Sequence, residues 1–171
     1  MIKKFIKGRV CVFIDASNVY FSYKKLKWKI DLKKILEYFK EEADLVEIFY
    51  YTGRDINSKA QNKFINFLKK TGYIVRSKKI KFIKNNHENE GFFKGNLDVE
   101  LTIDVLERKD KYDTLILISG DSDFEPSLKL MKKKYNKKCL VMATKHSISI
   151  ELIKCAKFIN LAKLKNYIKK V

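Results

Sequence analysis

The sequence predicts an α/β protein, a three-layer α/β/α sandwich around a mainly parallel central sheet, and three observations carry that prediction. Short apolar runs alternate with helical patterns along all 171 residues, the signature of βαβ units. Two of those runs, residues 10–14 and 115–118, are apolar without interruption, as strands buried on both faces are. Both end in small polar turns carrying aspartate: Asp15-Ala16-Ser17-Asn18, and Ser119-Gly120-Asp121-Ser122-Asp123.

Taken in order, residues 10–14 form the first strand, and a short helix or loop continues from Asn18 to Lys27. Asp31 is placed to cap a helix through about Lys40, with Leu32, Ile35, Leu36 and Phe39 at helical spacing. Residues 44–51 are rich in β-formers and make the second strand, closed by a turn at Thr52-Gly53-Arg54-Asp55. A helix over residues 58–70 turns Phe64, Ile65, Phe67 and Leu68 inward and stops at Gly72. Residues 73–76 are the third strand. Residues 78–84 alternate basic with apolar, as a half-exposed strand or edge hairpin does, and residues 85–95 read as a mobile surface loop.

Asn96 caps a helix carrying Leu97, Leu101, Val105 and Leu106. The fourth strand and its acidic turn follow, then a helix from about Pro126 to Tyr135, where proline suits the first turn. Residues 139–143 make a fifth strand, residues 147–156 a helix, residues 158–161 a short strand and residues 162–170 a basic terminal helix. Right-handed crossovers then favour a three-layer sandwich within one domain spanning residues 1–171, with 3-2-1-4-5 as the expected strand order.

That order makes strands 1 and 4 neighbours at the topological switch point, the cleft where ligands of open α/β sheets bind. Asp15, Asp121 and Asp123 meet there. The helix over residues 96–108 adds two more acids, Asp98 and Asp104, about 120° apart around its axis. Asp104 shares the apolar face and reads as a partly buried supporting acceptor. Asp98 stands at the amino end near the rim, so it is the candidate ligand. Clustered carboxylates call for a cation, and an all-oxygen set without His or Cys favours Mg²⁺ or Mn²⁺.

Composition narrows the partners. Lys and Arg total 38 against 20 acids, a net charge of +18, which favours nucleic acid as a partner over a merely lysine-rich surface. Aromatics beside the basic runs, Tyr20, Phe21, Tyr23, Trp28, Phe92 and Phe93, are placed to stack unpaired bases. Cys11, Cys139 and Cys155 lack zinc-type spacing and read as buried, reduced thiols. No apolar window reaches the roughly 18 residues of a membrane span, and no signal-peptide pattern opens the chain, so the expectation is a cytoplasmic protein.

Three blocks carry a resemblance: Phe13-Ile14-Asp15-Ala16-Ser17-Asn18, Lys94-Gly95-Asn96-Leu97-Asp98-Val99 with Asp104 beyond it, and Ser119-Gly120-Asp121-Ser122-Asp123-Phe124. In this order they resemble the signature blocks of NYN domains, PIN-like proteins, and most of all their LabA-like branch. The middle block carries one residue more than the usual Lys-Gly-x-Asp. The resemblance implies a PIN-like fold and divalent-metal-dependent hydrolysis of RNA phosphodiesters, with Asp15, Asp98, Asp121 and Asp123 holding Mg²⁺ or Mn²⁺. Asn18 and Ser119 would then orient a ligand, the water or a phosphate oxygen, and Lys94 would contact the scissile phosphate.

Single-stranded DNA stays open as a substrate, as does a homo-oligomer. The rivals are a non-catalytic RNA-binding or regulatory scaffold of the same fold, a toprim-like nuclease and a metal-dependent phosphatase. Toprim sites usually lead with Glu where this chain has Asp15, and phosphatases of the haloacid dehalogenase type need an Asp-x-Asp after the first strand. Dinucleotide and P-loop chemistry are disfavoured because neither glycine fingerprint is present.

Overall fold

β1 (Arg9–Asp15) lies inside a six-stranded sheet between β2 (Asp44–Arg54) and β6 (Thr114–Ile118) in this computed structural model. The structure describes the backbone of residues 1–84, 91–94 and 96–170, and the side chains of residues 1–80 and 96–170. Beyond β2 lies β3 (Ile74–Lys79), and beyond β6 lie β7 (Lys138–Ala143) and β8 (Lys157–Asn160), giving the order β3-β2-β1-β6-β7-β8. Every ladder of this sheet is parallel. The expected order 3-2-1-4-5 is present, with the short strand near residue 158 added as a sixth at the edge.

The two-residue period of β1 divides the core. Val10, Val12 and Ile14 join one apolar cluster, while Cys11 and Phe13 join the other. The first is covered by α2 (Leu32–Glu42), α3 (Lys59–Thr71) and α7 (Lys165–Ile168), with α1 (Ala16–Leu26) packed at its rim. The second is covered by α4 (Asp98–Glu107), α5 (Glu125–Lys133) and α6 (Ile150–Cys155). Helices on both faces explain why β6 is buried at all five positions and why its sequence never alternates.

Caps set the helix limits. Asp31 accepts from Lys33 N and Lys34 N, Ser58 from Gln61 N, and Ser149 from Leu152 N, so α6 starts later than residue 147. Gly72 ends α3 at φ 112°, a left-handed conformation that costs a side-chain-bearing residue more.

Four expectations are corrected. Residues 52–54 are not a turn: β2 runs on to Arg54, because Thr52, Gly53 and Arg54 pair with Ser77, Lys78 and Lys79 of β3. Only Ile65 and Leu68 of α3 are buried; Phe64 and Phe67 face outward at 41% and 46% exposure. Within the expected loop, residues 91–94 are a strand. β4 (Lys81–Lys84) and β5 (Gly91–Lys94) form an antiparallel hairpin apart from the main sheet, while residues 85–90 and 95 lie outside the described residues. The terminal helix shrinks to a 3-10 turn, Leu161–Leu164, and the four-residue α7. There the backbone is diverted to clasp the α1–α2 connection: Asp31 N–H donates to Ile168 O and Lys170 N–H to Lys29 O, each at 2.8 Å. The three cysteines are buried and free, and no helix among the described residues is long and apolar enough to cross a membrane.

Candidate metal centre

Asp15 does two jobs at the end of β1. It caps α1, its Oδ1 accepting from Ser17 N–H at 2.8 Å, and its Oδ2 accepts from Ser119 Oγ at 3.2 Å. Ser119 is wholly buried just beyond β6, and its hydroxyl oxygen also accepts from Asp121 N–H at 3.2 Å. Asp121 in turn caps the 3-10 turn Ser122–Phe124, its Oδ1 accepting from Asp123 N–H at 3.0 Å. This chain of hydrogen bonds holds the acidic turn against the end of β1.

Gly120 lets that turn sit where it does. A Cβ there would lie 1.9 Å from the Ser147 carbonyl oxygen, and Ser149 N–H donates to Gly120 O at 3.0 Å. Only glycine permits that approach of two backbones.

Asp98 opens α4. Its N–H donates to Asn96 Oδ1 at 2.8 Å, while Asn96 Nδ2 donates back to its carboxylate. Asn96 therefore caps the helix from one position before Leu97, and it also fixes the Asp98 side chain. One carboxylate oxygen from each of Asp98, Asp121 and Asp123 lies within 4.8 Å of the others. Asp15 stands outside this trio but lines the same cleft of about 910 Å³ with Asp98 and Asp121.

Burial first, and then repulsion from Asp121, Asp123 and Glu100, raises the Asp98 carboxyl above the usual carboxylate range against the pull of Asn96. Burial likewise raises Asp15, with Asp98 adding to it and the Ser17 and Ser119 hydrogen bonds opposing it. In a chain of net charge +18, none of these four acids forms an ion pair among the described residues. Their negative charge is left for something else to neutralise.

The remaining candidates separate. Asn18 lies in the first turn of α1, with its Oδ1 buried and without a hydrogen-bond partner among the described residues. Asp104 is buried but spent: its oxygens accept from Arg76 Nε and Nη2 and from Tyr51 OH, all at 2.9 Å. It ties α4 to β3 and β2 rather than joining the trio. Lys94 ends β5, and its side chain lies outside the described residues, as do those of Phe92 and Phe93.

Two residues were missed from sequence. Asn96 was legible only as a cap, although an amide two positions before an acid can reach it from both ends. Arg76 carried no local signal, because its partner lies 28 residues away. Tyr20, Phe21 and Phe64 wall the cleft, the first two 61% and 58% exposed.

The family model of the NYN domain matches residues 9–162. The low amplitude and bright protein LabA of Synechococcus elongatus is 33% identical over 170 residues, covering 97% of this chain and 90% of that protein. Among solved structures, VPA0982 of Vibrio parahaemolyticus, a protein of unknown function, aligns with a TM-score of 0.75 and 27% identity, over 91% of this chain and 93% of that one. With the blocks containing Asp15, Asp98 and Asp121 inside the matched span, the chain belongs to the NYN domain family, whose members are PIN-like and typically nucleases.

Proposed function

We propose that this chain, read as one NYN domain over residues 1–171, is a cytoplasmic divalent-metal-dependent ribonuclease. The observation that carries the reading is the trio Asp98, Asp121 and Asp123, with oxygens within 4.8 Å of one another, of which Asp98 and Asp121 line an open cleft together with Asp15. The donor set fits Mg²⁺ or Mn²⁺: among the described residues the clustered ligands are all carboxylate oxygens, and none of them is taken up by an ion pair.

Asp98, Asp121 and Asp123 would hold the ion, with Asp15 completing the acidic wall. When bound, such an ion supplies Lewis-acid stabilisation of phosphate charge and makes a bound water more acidic. The rest falls to the chain. Ser119 orients Asp15 and the Asp121 backbone together, and Asn96 fixes Asp98, so the carboxylates are set before substrate arrives. The exposed faces of Tyr20 and Phe21 offer stacking surfaces to unpaired bases. Water then adds to phosphorus as the bond to the leaving sugar oxygen breaks, leaving a phosphate monoester and a hydroxyl.

The test is cleavage of single-stranded and structured RNA with Mg²⁺, Mn²⁺ or EDTA, using wild type and Asp121→Asn. Metal-dependent cleavage that the substitution abolishes is the expected result. An Asp121→Asn protein that cleaves at the wild-type rate overturns the site. A wild type that binds RNA tightly yet never cleaves it points to a scaffold.

A further inference from the structure

The carboxylate cleft does not end at the carboxylates. It shares Ala16, Tyr20, Tyr50 and Phe64 with a neighbouring groove of about 730 Å³. That groove shares Lys29 and Lys170 with a third hollow of about 650 Å³. The third hollow is walled by Lys27, Lys29, Lys165, Lys169 and Lys170 over the buried Trp28, with no acid among the described residues of its wall.

Helix α1 runs the length of this path. Ala16, Tyr20 and Tyr23 recur at spacings of four and three, so they form one stripe, and Lys27 is the left-handed residue that ends the helix. Ala16 and Tyr20 line the cleft, Tyr20 and Tyr23 the groove, and Lys27 the basic hollow. The 11 residues of α1 span about 16 Å at about 1.5 Å each. That length holds only a few nucleotides of an unpaired strand.

Cations accompany the rings. Lys24 Nζ lies 5.9 Å from the Tyr20 ring centroid, and Lys29 Nζ lies 5.7 Å from that of Tyr23. Tyr23 is 40% exposed, leaving ring surface free. Stacking surface with an ammonium beside it, repeated and leading to a lysine pocket, is complementary to unpaired bases on a phosphate backbone. A second copy of this chain would bring two lysine-rich walls together at a net charge of +18 each, which disfavours self-association here. Paired bases hide their faces, so a duplex could not use the rings.

We propose that one RNA strand lies along α1 from the carboxylates to the lysine hollow, with bases against Tyr20 and Tyr23 and phosphates among Lys29, Lys165 and Lys169. This rests on the nuclease reading of the cleft, to which it adds a path along α1 for an unpaired strand and a footprint of a few nucleotides on one side of the scissile bond.

Fluorescence anisotropy in EDTA tests it without cleavage, using labelled oligouridylates of about four, eight and twelve nucleotides. The full chain should bind more tightly with length and then level off. Lys165→Gln with Lys169→Gln should weaken the longest strand about tenfold, flatten the length dependence and reduce the log–log salt slope by about 1.4. Tyr23→Ala should weaken it similarly, while Tyr23→Phe, which keeps the ring, should restore it. Wild-type affinity and salt slope in the lysine pair, or equal competition by a duplex of the same length, would overturn the track. Equal affinity for a deoxyribose strand would overturn the assignment to RNA. If the variants weaken binding but the wild type never cleaves, the nuclease reading falls and the track stands. Cleavage with binding unmoved by every variant leaves the nuclease reading and removes the track.

Discussion

The Ser119 hydroxyl donates to Asp15 Oδ2 at 3.2 Å, across the seam where β1 and β6 run side by side. The same oxygen receives the Asp121 N–H, so one buried hydroxyl positions two of the four site acids. Ser119→Ala should keep the fold, cost about 1 kcal/mol and lower divalent-metal affinity by about 10- to 100-fold. Urea denaturation and calorimetric metal titration measure the two effects separately.

Asp98 and Asp15 have raised carboxyls, and the sign of the consequence follows. The folded chain binds these protons more tightly than the unfolded chain does. Their contribution to metal-free stability is therefore full below the ordinary carboxylate pKa and is lost as pH rises through the elevated folded values. At neutral pH in EDTA, Asp98→Asn should melt a few degrees higher than wild type, about 2–4 °C per kcal/mol relieved. Scanning calorimetry across pH checks it, and a variant that melts lower with no change in pH dependence would sink the idea.

Asp104 behaves oppositely. Burial opposes its ionisation, but the Arg76 guanidinium and Tyr51 hydroxyl outweigh burial and hold its carboxyl below the usual range. Its stabilisation is present above the ordinary carboxylate pKa and lost as pH falls through the depressed folded value. Because the Arg76 side chain is 44% exposed, Asp104→Ala should cost about 1–3 kcal/mol, less than a fully buried pair. A double-mutant cycle with Arg76→Ala, run at neutral and at strongly acid pH, should show the coupling shrinking in acid.

Gly120→Ala forces a methyl group onto the Ser147 carbonyl. Backbone cannot move aside as a flexible side chain can, so a loss of about 1–3 kcal/mol is expected. Because the displaced segment is the acidic turn, the thermal shift produced by Mg²⁺ should diminish with it. Thermal melts with and without metal provide the measurement.

What was legible in the sequence was what local pattern encodes. β1 and β6 announce themselves because strands buried on both faces need no polar alternation, and their terminal acids are visible for the same reason. The continuation of β2 through Thr52-Gly53-Arg54 was hidden: those residues resemble a turn until β3 supplies its ladder. Phe64 and Phe67 resemble core because apolar residues on a helix usually are, yet α3 turns only Ile65 and Leu68 into the interior. The Arg76–Asp104 pair joins two elements far apart in sequence and leaves no periodic trace.

The bond between Ser119 and Asp15 joins residues 104 positions apart. Parallel pairing at that separation forms slowly, since a long loop must close before any contact rewards it. A growing chain arrested before Thr114 would carry Asp15 on a strand with an unpaired edge, the kind of edge that invites aggregation. It would also lack Asp121 and Asp123 altogether. The four acids thus come together only once β6 has emerged and closed against β1, bringing its terminal turn with it.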